Sequence, residues 1–163
     1  MRTLNLLAIL ALAFSLAACG SKFKTYTGPE VTQLYIQKSA RRLYLLHGSE
    51  VLQAYEIDLG AAPIGPKQVE GDRKTPEGAY VIDRRNPNSQ YHLSLGISYP
   101  TPDQTLAAAA LGQKPGGDIF IHGRNGKARG REDWTVGCIA VKDREIEEIY
   151  SMVRDGTPIF IAP

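Results

Sequence analysis

The feature that most constrains the fold is the frequency of chain breakers. From Val31 onward, Gly, Pro, Asp and Asn recur so closely that the apolar runs between them are mostly short and alternate with polar residues. Val31–Ile36, Arg42–Leu46 and Val51–Leu59 alternate in this way around His47-Gly48-Ser49, which predicts strands and a hairpin with His47 as a turn residue. Ala79–Asp83, His92–Tyr99, Asp118–Ile121 and Cys138–Val141 read as further strands, with His92 on a sheet surface, and "TPIFIAP" closes the chain as another. Only two segments carry helical signals. Asp103–Leu111 is alanine-rich, follows Pro102 and precedes Gly112, which fits a short packing helix with Asp103 as a cap. In "KDREIEEIYSMVRDG", Ile146, Ile149, Tyr150 and Val153 share one face, acids crowd the first turn, Arg154 lies in the last and Gly156 ends it. The expectation is a β-rich α+β domain over residues 31–163, with mixed sheets and a few short helices. The Gly-, Pro- and Asp-dense stretch before Ala79 suits a loop that walls a site on a rigid sheet.

The N-terminus reads differently. "MRTLNLLAILALAFSLAACGSKF" carries Arg2, a largely apolar run from Leu4 to Leu16, and small residues before Cys19. This is the pattern of a signal peptide over residues 1–18, short for a membrane span. Leu16-Ala17-Ala18-Cys19 also resembles a bacterial lipobox, where cleavage precedes the cysteine and its thiol carries diacylglycerol. The alternative is a plain signal peptide cut after Ala18. With lipid on Cys19 and a polar tether to residue 30, the domain is expected to be exported, held on the periplasmic side and anchored without a membrane helix. Gly20-Ser21 lacks the aspartate that often retains lipoproteins at the inner membrane, which favours the outer one.

The formal net charge is +2 and there are no basic runs, which argues against nucleic acid and against a purely electrostatic membrane partner. The chain has two cysteines. If Cys19 is lipidated, Cys138 has no disulfide partner, and a lone thiol in an oxidising compartment reads as a reactive group. The bland alternative is a small buried apolar residue.

Cys138 lies in "DIFIHGRNGKARGREDWTVGCIAV". His122 ends one expected strand and Cys138 opens another, so if those strands are neighbours a Cys–His pair is geometrically easy despite the loop between them. A nearby base is what a thiol needs to act as a nucleophile. Gly137 would let the backbone turn and aim its N–H, with that of Cys138, at the oxygen of a tetrahedral intermediate. The carbonyl of Gly123 could orient the imidazole in place of a carboxylate. One Cys and one His are too few ligands for zinc, and no metal or cofactor is expected.

"IHG", a polar loop and "TVGCIAV" resemble the signature of the L,D-transpeptidase catalytic domain (YkuD-type), a His-Gly followed by Ser/Thr-x-Gly-Cys. "GDRKTPEG", Gly71–Gly78, is similar to the family's Thr-Pro-x-Gly segment, and "DGTPIFI", Asp155–Ile161, resembles its terminal strand. The resemblance implies a thiol enzyme working on peptidoglycan stem peptides, with Cys138 as nucleophile, His122 as general base, Gly123 as orienting carbonyl and the Gly137 and Cys138 N–H groups as oxyanion hole. It gives Thr135 a place in the loop's hydrogen bonding. It also implies a thioester formed on a stem tetrapeptide with loss of D-Ala, resolved by an amine of another stem or a lipoprotein, or by water. The residues do not decide between transpeptidase and hydrolase, and a non-catalytic wall-binding lipoprotein of the same fold is a third reading. NlpC/P60-type peptidases usually place cysteine before histidine, and sortases space the pair farther apart with a later arginine. One departure stands out: many members have an arginine two residues after the cysteine, where this chain has Ala140. Arg124, Arg129 and Arg131 in the loop could supply a substrate cation or form a solvated face. Trp134 reads as a wall over the site or as packing under the loop.

Overall fold

The computed structural model describes residues 21–124, 130 and 132–163. Among the described residues, eight strands form one continuous sheet in the order β3-β2-β1-β8-β4-β5-β6-β7. They are β1 (Gln33–Gln37), β2 (Arg42–His47), β3 (Glu50–Glu56), β4 (Gly78–Asn86), β5 (Ser94–Ile97), β6 (Phe120–His122), β7 (Ile139–Ala140) and β8 (Pro158–Ala162). Neighbours are antiparallel except β1 with β8 and β6 with β7. Just past β3, Asp58 bridges Ala140 of β7 and Gly60 bridges Thr135. The segment past β3 therefore meets the far end of the sheet, and the curl wraps one apolar interior.

Alternation explains which side faces in. Leu34, Ile36, Leu43, Leu45, Ile82, Ile159 and Ile161 are fully or almost fully buried while their strand neighbours are not. Each such side chain contributes about 1.5–3 kcal/mol by leaving water. Strand β4 runs beyond the expected Asp83, because Arg84 and Arg85 continue it on opposite faces. Arg85 reaches the C-terminal carbonyl of Tyr150 at 2.6 Å and that of Val153, and its guanidinium stands 3.9 Å over the Tyr150 ring. These carbonyls lie at the end of the helix Asp143–Met152, where a cation is favoured.

Helix α1 (Pro102–Ala110) is capped by Thr101 rather than the expected Asp103. The Thr101 hydroxyl accepts from the Gln104 N–H while the Gln104 side chain accepts from the Thr101 N–H. Its expected packing role is small, since Ala108 is its buried residue and Leu106 stands exposed. Helix α2 (Asp143–Met152) lies on β5 and β6 with Ile146, Ile149 and Tyr150 buried as expected. Arg154 falls after this helix, not in its last turn.

Residues 21–30 form no helix or strand, but they are fastened to the domain. Lys22 donates to the carbonyls of Pro87 and His92, Lys24 pairs with Glu147 at 3.4 Å, and the Phe23 ring leans on Tyr150. His92 is not on a sheet surface as expected. It sits ahead of β5 at φ 75°, with Nε2 2.8 Å from a Glu147 carboxylate oxygen. His47 closes β2 rather than standing in the turn, with Nδ1 2.8 Å from the Glu30 carbonyl.

Candidate active site

The register of β6 and β7 places the expected pair on one face of the sheet. Ile121 is opposite Ile139 and His122 opposite Ala140 in parallel pairing. Opposed residues in a sheet share a face, and so do residues two apart on a strand. Cys138, two before Ala140, therefore shares the face of His122. The other face carries Ile121 and Ile139, both fully buried toward the core.

His122 is buried, and its Nδ1 lies 2.6 Å from the carbonyl of Gly123. A carbonyl only accepts, so Nδ1 carries the proton and Nε2 is left with the lone pair of a base. The Gly123 carbonyl is thus the group that holds Nδ1. A side chain at 123 would press on the Asp143 carboxylate and the Tyr91 carbonyl, at 2.6 and 2.8 Å, so only glycine lets the backbone carry it. The imidazole is stacked by Tyr91, centroids 4.4 Å apart, and met edge-on by Trp134 at 5.8 Å. Burial pushes the His122 pKa down, against the Gly123 bond that raises it.

The Cys138 sulfur donates to the carbonyl of Asp118 at 3.5 Å. Its pKa is pushed up, first by burial, while a hydrogen bond from the Phe120 backbone and the charges of Lys67 and Arg84 oppose the rise. Both shifts favour the neutral forms, thiol and imidazole.

The turn before Cys138 differs from expectation in one respect. The Gly137 N–H donates to the Thr135 hydroxyl at 3.1 Å, and that hydroxyl donates to the Cys138 carbonyl at 2.6 Å. Gly137 is thus spent within the turn and is not a free oxyanion donor. Its glycine is needed because φ is 137° and a Cβ would lie 2.8 Å from the Lys74 carbonyl. Lys74 belongs to the "TPEG" loop, whose buried Thr75 accepts the Gly60 N–H at 3.0 Å. Lys38, itself buried, holds the same loop through the Glu77 carboxylate at 2.7 Å and the carbonyls of Gly65 and Thr75. The Thr-Pro-x-Gly segment thus shapes the wall behind the turn that precedes Cys138.

Of the substrate-binding candidates, Thr135 has the loop role described. Trp134 is half-buried and donates its indole N–H to Asp58 at 3.1 Å, so it supports the imidazole. Arg124 is committed to Asp58 at 2.9 Å, and its N–H to the Asp143 carboxylate. It does not present a free cation to the thiol. Arg129, Arg131 and the lipidation candidate Cys19 lie outside the described residues. A cavity of about 630 Å³ borders Arg41, Asp58, Arg124 and Asp133, but Cys138 and His122 are not in its lining. Among the described residues no three His, Cys, Asp or Glu side chains are grouped to hold a metal.

Tyr91, Asp58 and Arg84 escaped the sequence reading. Nothing in the spacing ties Tyr91 to His122, because it reaches the site from a turn. Arg84 had a signal: adjacent arginines on a strand point to opposite faces, so one of the pair had to leave the core face.

The sequence matches the family model described as the L,D-transpeptidase catalytic domain over residues 32–161. A relative in Escherichia coli (strain K12), named "Putative L,D-transpeptidase YafK", is 30% identical over 139 residues, covering 83% of this chain and 51% of the relative. The fold is similar to that of the helical cell shape determining protein Pgp2 (K307A mutant) from Campylobacter jejuni, with TM-score 0.63 and 23% identity over 90% of this chain and 52% of that one. An L,D-transpeptidase from Mycobacterium smegmatis aligns with TM-score 0.55 and 15% identity over 82% of this chain and 59% of that one. The chain spans about half the length of the curated relative it matches.

Proposed function

Because the chain belongs to the L,D-transpeptidase catalytic domain family, we propose that it is a cysteine acyltransferase acting on peptidoglycan stem tetrapeptides through a thioester. The observation that carries this reading is the parallel register of β6 and β7, which sets Cys138 and a His122 of defined tautomer on one face. In the first half-reaction the Cys138 proton passes to Nε2 of His122 as sulfur bonds to the carbonyl carbon between a diamino acid and terminal D-Ala. The Cys138 N–H is assigned to the developing oxyanion, without help from Gly137. Collapse breaks the C–N bond, and D-Ala leaves with the proton from His122. In the second half-reaction an acceptor amine attacks the thioester and gives its proton to His122. The sulfur leaves and takes that proton back. The acceptor is an amine of a second stem or of a lipoprotein.

Hydrolysis is the second reading, favoured by Ala140. It lies opposite His122 and is fully buried, so the arginine of many members has no counterpart there. Water would then resolve the thioester to give an L,D-carboxypeptidase, and an amidase acting on wall linkages uses the same acyl-enzyme. Incubating the protein with tetrapeptide muropeptides and weighing the products separates these outcomes. Free D-Ala with cross-linked dimers supports the transferase, and tripeptide monomer alone replaces it with the hydrolase. No turnover, together with a Cys138 no more reactive than free cysteine toward a thiol probe, leaves a wall-binding protein. Cys138→Ala must abolish either activity.

The cellular setting belongs to the same proposal: export by the leader, cleavage before Cys19, and anchoring through lipid on that thiol, at the outer membrane where one exists. Palmitate labelling that persists in Cys19→Ala would sink the anchor and leave the chemistry untouched.

A further inference from the structure

One row of residues crosses the sheet beside the thiol. Arg84 on β4 is opposite Gly96 on β5, and Gly96 is opposite Phe120 on β6. Phe120 precedes the Ile121–Ile139 pair by one residue, as Cys138 does, so the row ends at the nucleophile. The Arg84 side chain lies along this row. Its guanidinium carbon stands 4.6 Å from the centroid of the Phe120 ring, a cation resting on an aromatic face. The path exists because position 96 is glycine: a Cβ there would come within 2.4 Å of the Arg84 Cγ and 2.9 Å of its Nε. An interior strand glycine weakens a sheet unless something must pass close over it, and here an arginine does.

We infer that Arg84 is the specificity-determining cation of the site, binding a substrate carboxylate next to the amide that Cys138 attacks. This assignment rests on the reading of Cys138 and His122 as the acyl-transfer pair. The present partners of the guanidinium suit an exchangeable role. It donates to both oxygens of Asp83, at 2.9 and 3.1 Å, and to Asp118 at 3.1 Å. The Asp118 side chain is 91% exposed and Arg84 40%, so their pair is weakened by water and easily replaced. The Asp118 carbonyl, meanwhile, receives the Cys138 thiol, so the same residue borders cation and nucleophile. The Arg84 charge also acts on the Cys138 sulfur. A planar guanidinium offers a carboxylate two parallel donors, which an ammonium does not. It thereby supplies from β4 what Ala140 cannot supply from β7.

Two carboxylates flank the scissile bond of a stem tetrapeptide: that of the terminal D-Ala, and that on the side chain of the diamino acid when this is diaminopimelate. The test measures binding of three synthetic peptides to the full chain carrying Cys138→Ala: the diaminopimelate tetrapeptide, its C-terminal carboxamide, and the lysine counterpart. One of the two altered peptides is expected to bind about tenfold to a hundredfold more weakly, the range of a charge-assisted hydrogen bond, and which one it is identifies the carboxylate. Adding Arg84→Gln, which keeps a side-chain stem over Gly96, should weaken the parent peptide to that level and leave the affected analogue unchanged. Equal affinity for all three peptides overturns the assignment, as do no binding of any and a preference that survives Arg84→Gln. D-Ala release by the unmodified chain is assayed separately. Arg84-dependent binding without release keeps the carboxylate contact at Arg84 and removes the acyl-transfer reading, and with it the placement of that contact beside an attacked amide.

Discussion

The Tyr91 ring lies on the imidazole of His122, with centroids 4.4 Å apart and planes 29° from parallel. The Gly123 carbonyl fixes one nitrogen of that imidazole and Trp134 meets its edge, so three groups define its orientation. If His122 is the base proposed above, such restraint keeps its free nitrogen aimed at the thiol and later at a leaving amine.

Removing the stacked ring should therefore reduce turnover more than binding. Tyr91→Ala is expected to lower kcat for D-Ala release about tenfold, the scale of an aromatic pair, with KM close to the parent value. Tyr91→Phe keeps the stack and should recover most of the loss. Steady-state kinetics on tetrapeptide muropeptide check this, and a loss as large in Tyr91→Phe would assign the effect to something other than stacking.

The surroundings of buried His122 and half-buried Cys138 give stability a defined pH dependence. The folded His122 pKa lies below its ordinary 6.5, so between those values the unfolded chain holds the extra proton. Stability then falls as pH drops below 6.5. The folded Cys138 pKa lies above its ordinary 9.0, so above that value the unfolded thiol ionises first and stability falls as pH rises. Each group contributes a slope of at most about 1.4 kcal/mol per pH unit. Urea unfolding at pH 5 and pH 7 should show a smaller acid loss in His122→Gln than in the parent. Equal losses would mean that His122 titrates alike in both states.

Much of this was legible because it rests on local pattern. The hairpin around Gly48, the Ile146–Ile149–Tyr150 face and the His122 and Cys138 strand ends all follow from periodicity and turn residues. The Gly123 carbonyl could be anticipated from its place beside the histidine. What escaped reading depends on which distant strands become neighbours. Asp58 meets Ala140 only because the sheet curls until its ends touch, and the Arg84 row needs the β4-β5-β6 order. Glycine at 137 lets the backbone turn as expected, but its N–H bond to Thr135 and the nearby Lys74 carbonyl depend on which segments pack behind the turn.

Thr135 ties the turn before Cys138 together by accepting from Gly137 and donating to the Cys138 carbonyl, while buried. Thr135→Val keeps the shape and leaves a donor and an acceptor without their partner, a loss of about 1–3 kcal/mol. Thr135→Ser keeps the hydroxyl and should retain most of the stability. Urea denaturation of the three proteins decides, and a valine variant as stable as the parent would show that the turn holds without the hydroxyl.

Asp58 joins the two ends of the sheet and the support of the imidazole. Its backbone pairs with Ala140 in both directions at 2.9 Å, while its carboxylate accepts from the Trp134 indole and pairs with Arg124. If Trp134 supports His122 only because Asp58 holds it, the two substitutions should not add. Asp58→Asn keeps the backbone bridge and removes the charge, which weakens the Arg124 pair and loosens the indole. Trp134→Phe removes the indole donor directly. In a double-mutant cycle read by D-Ala release, the combined loss should fall short of the sum of the single losses by about 1 kcal/mol, as for residues sharing one network. Additive losses would separate Asp58 from the imidazole and leave it as a sheet-closing residue alone.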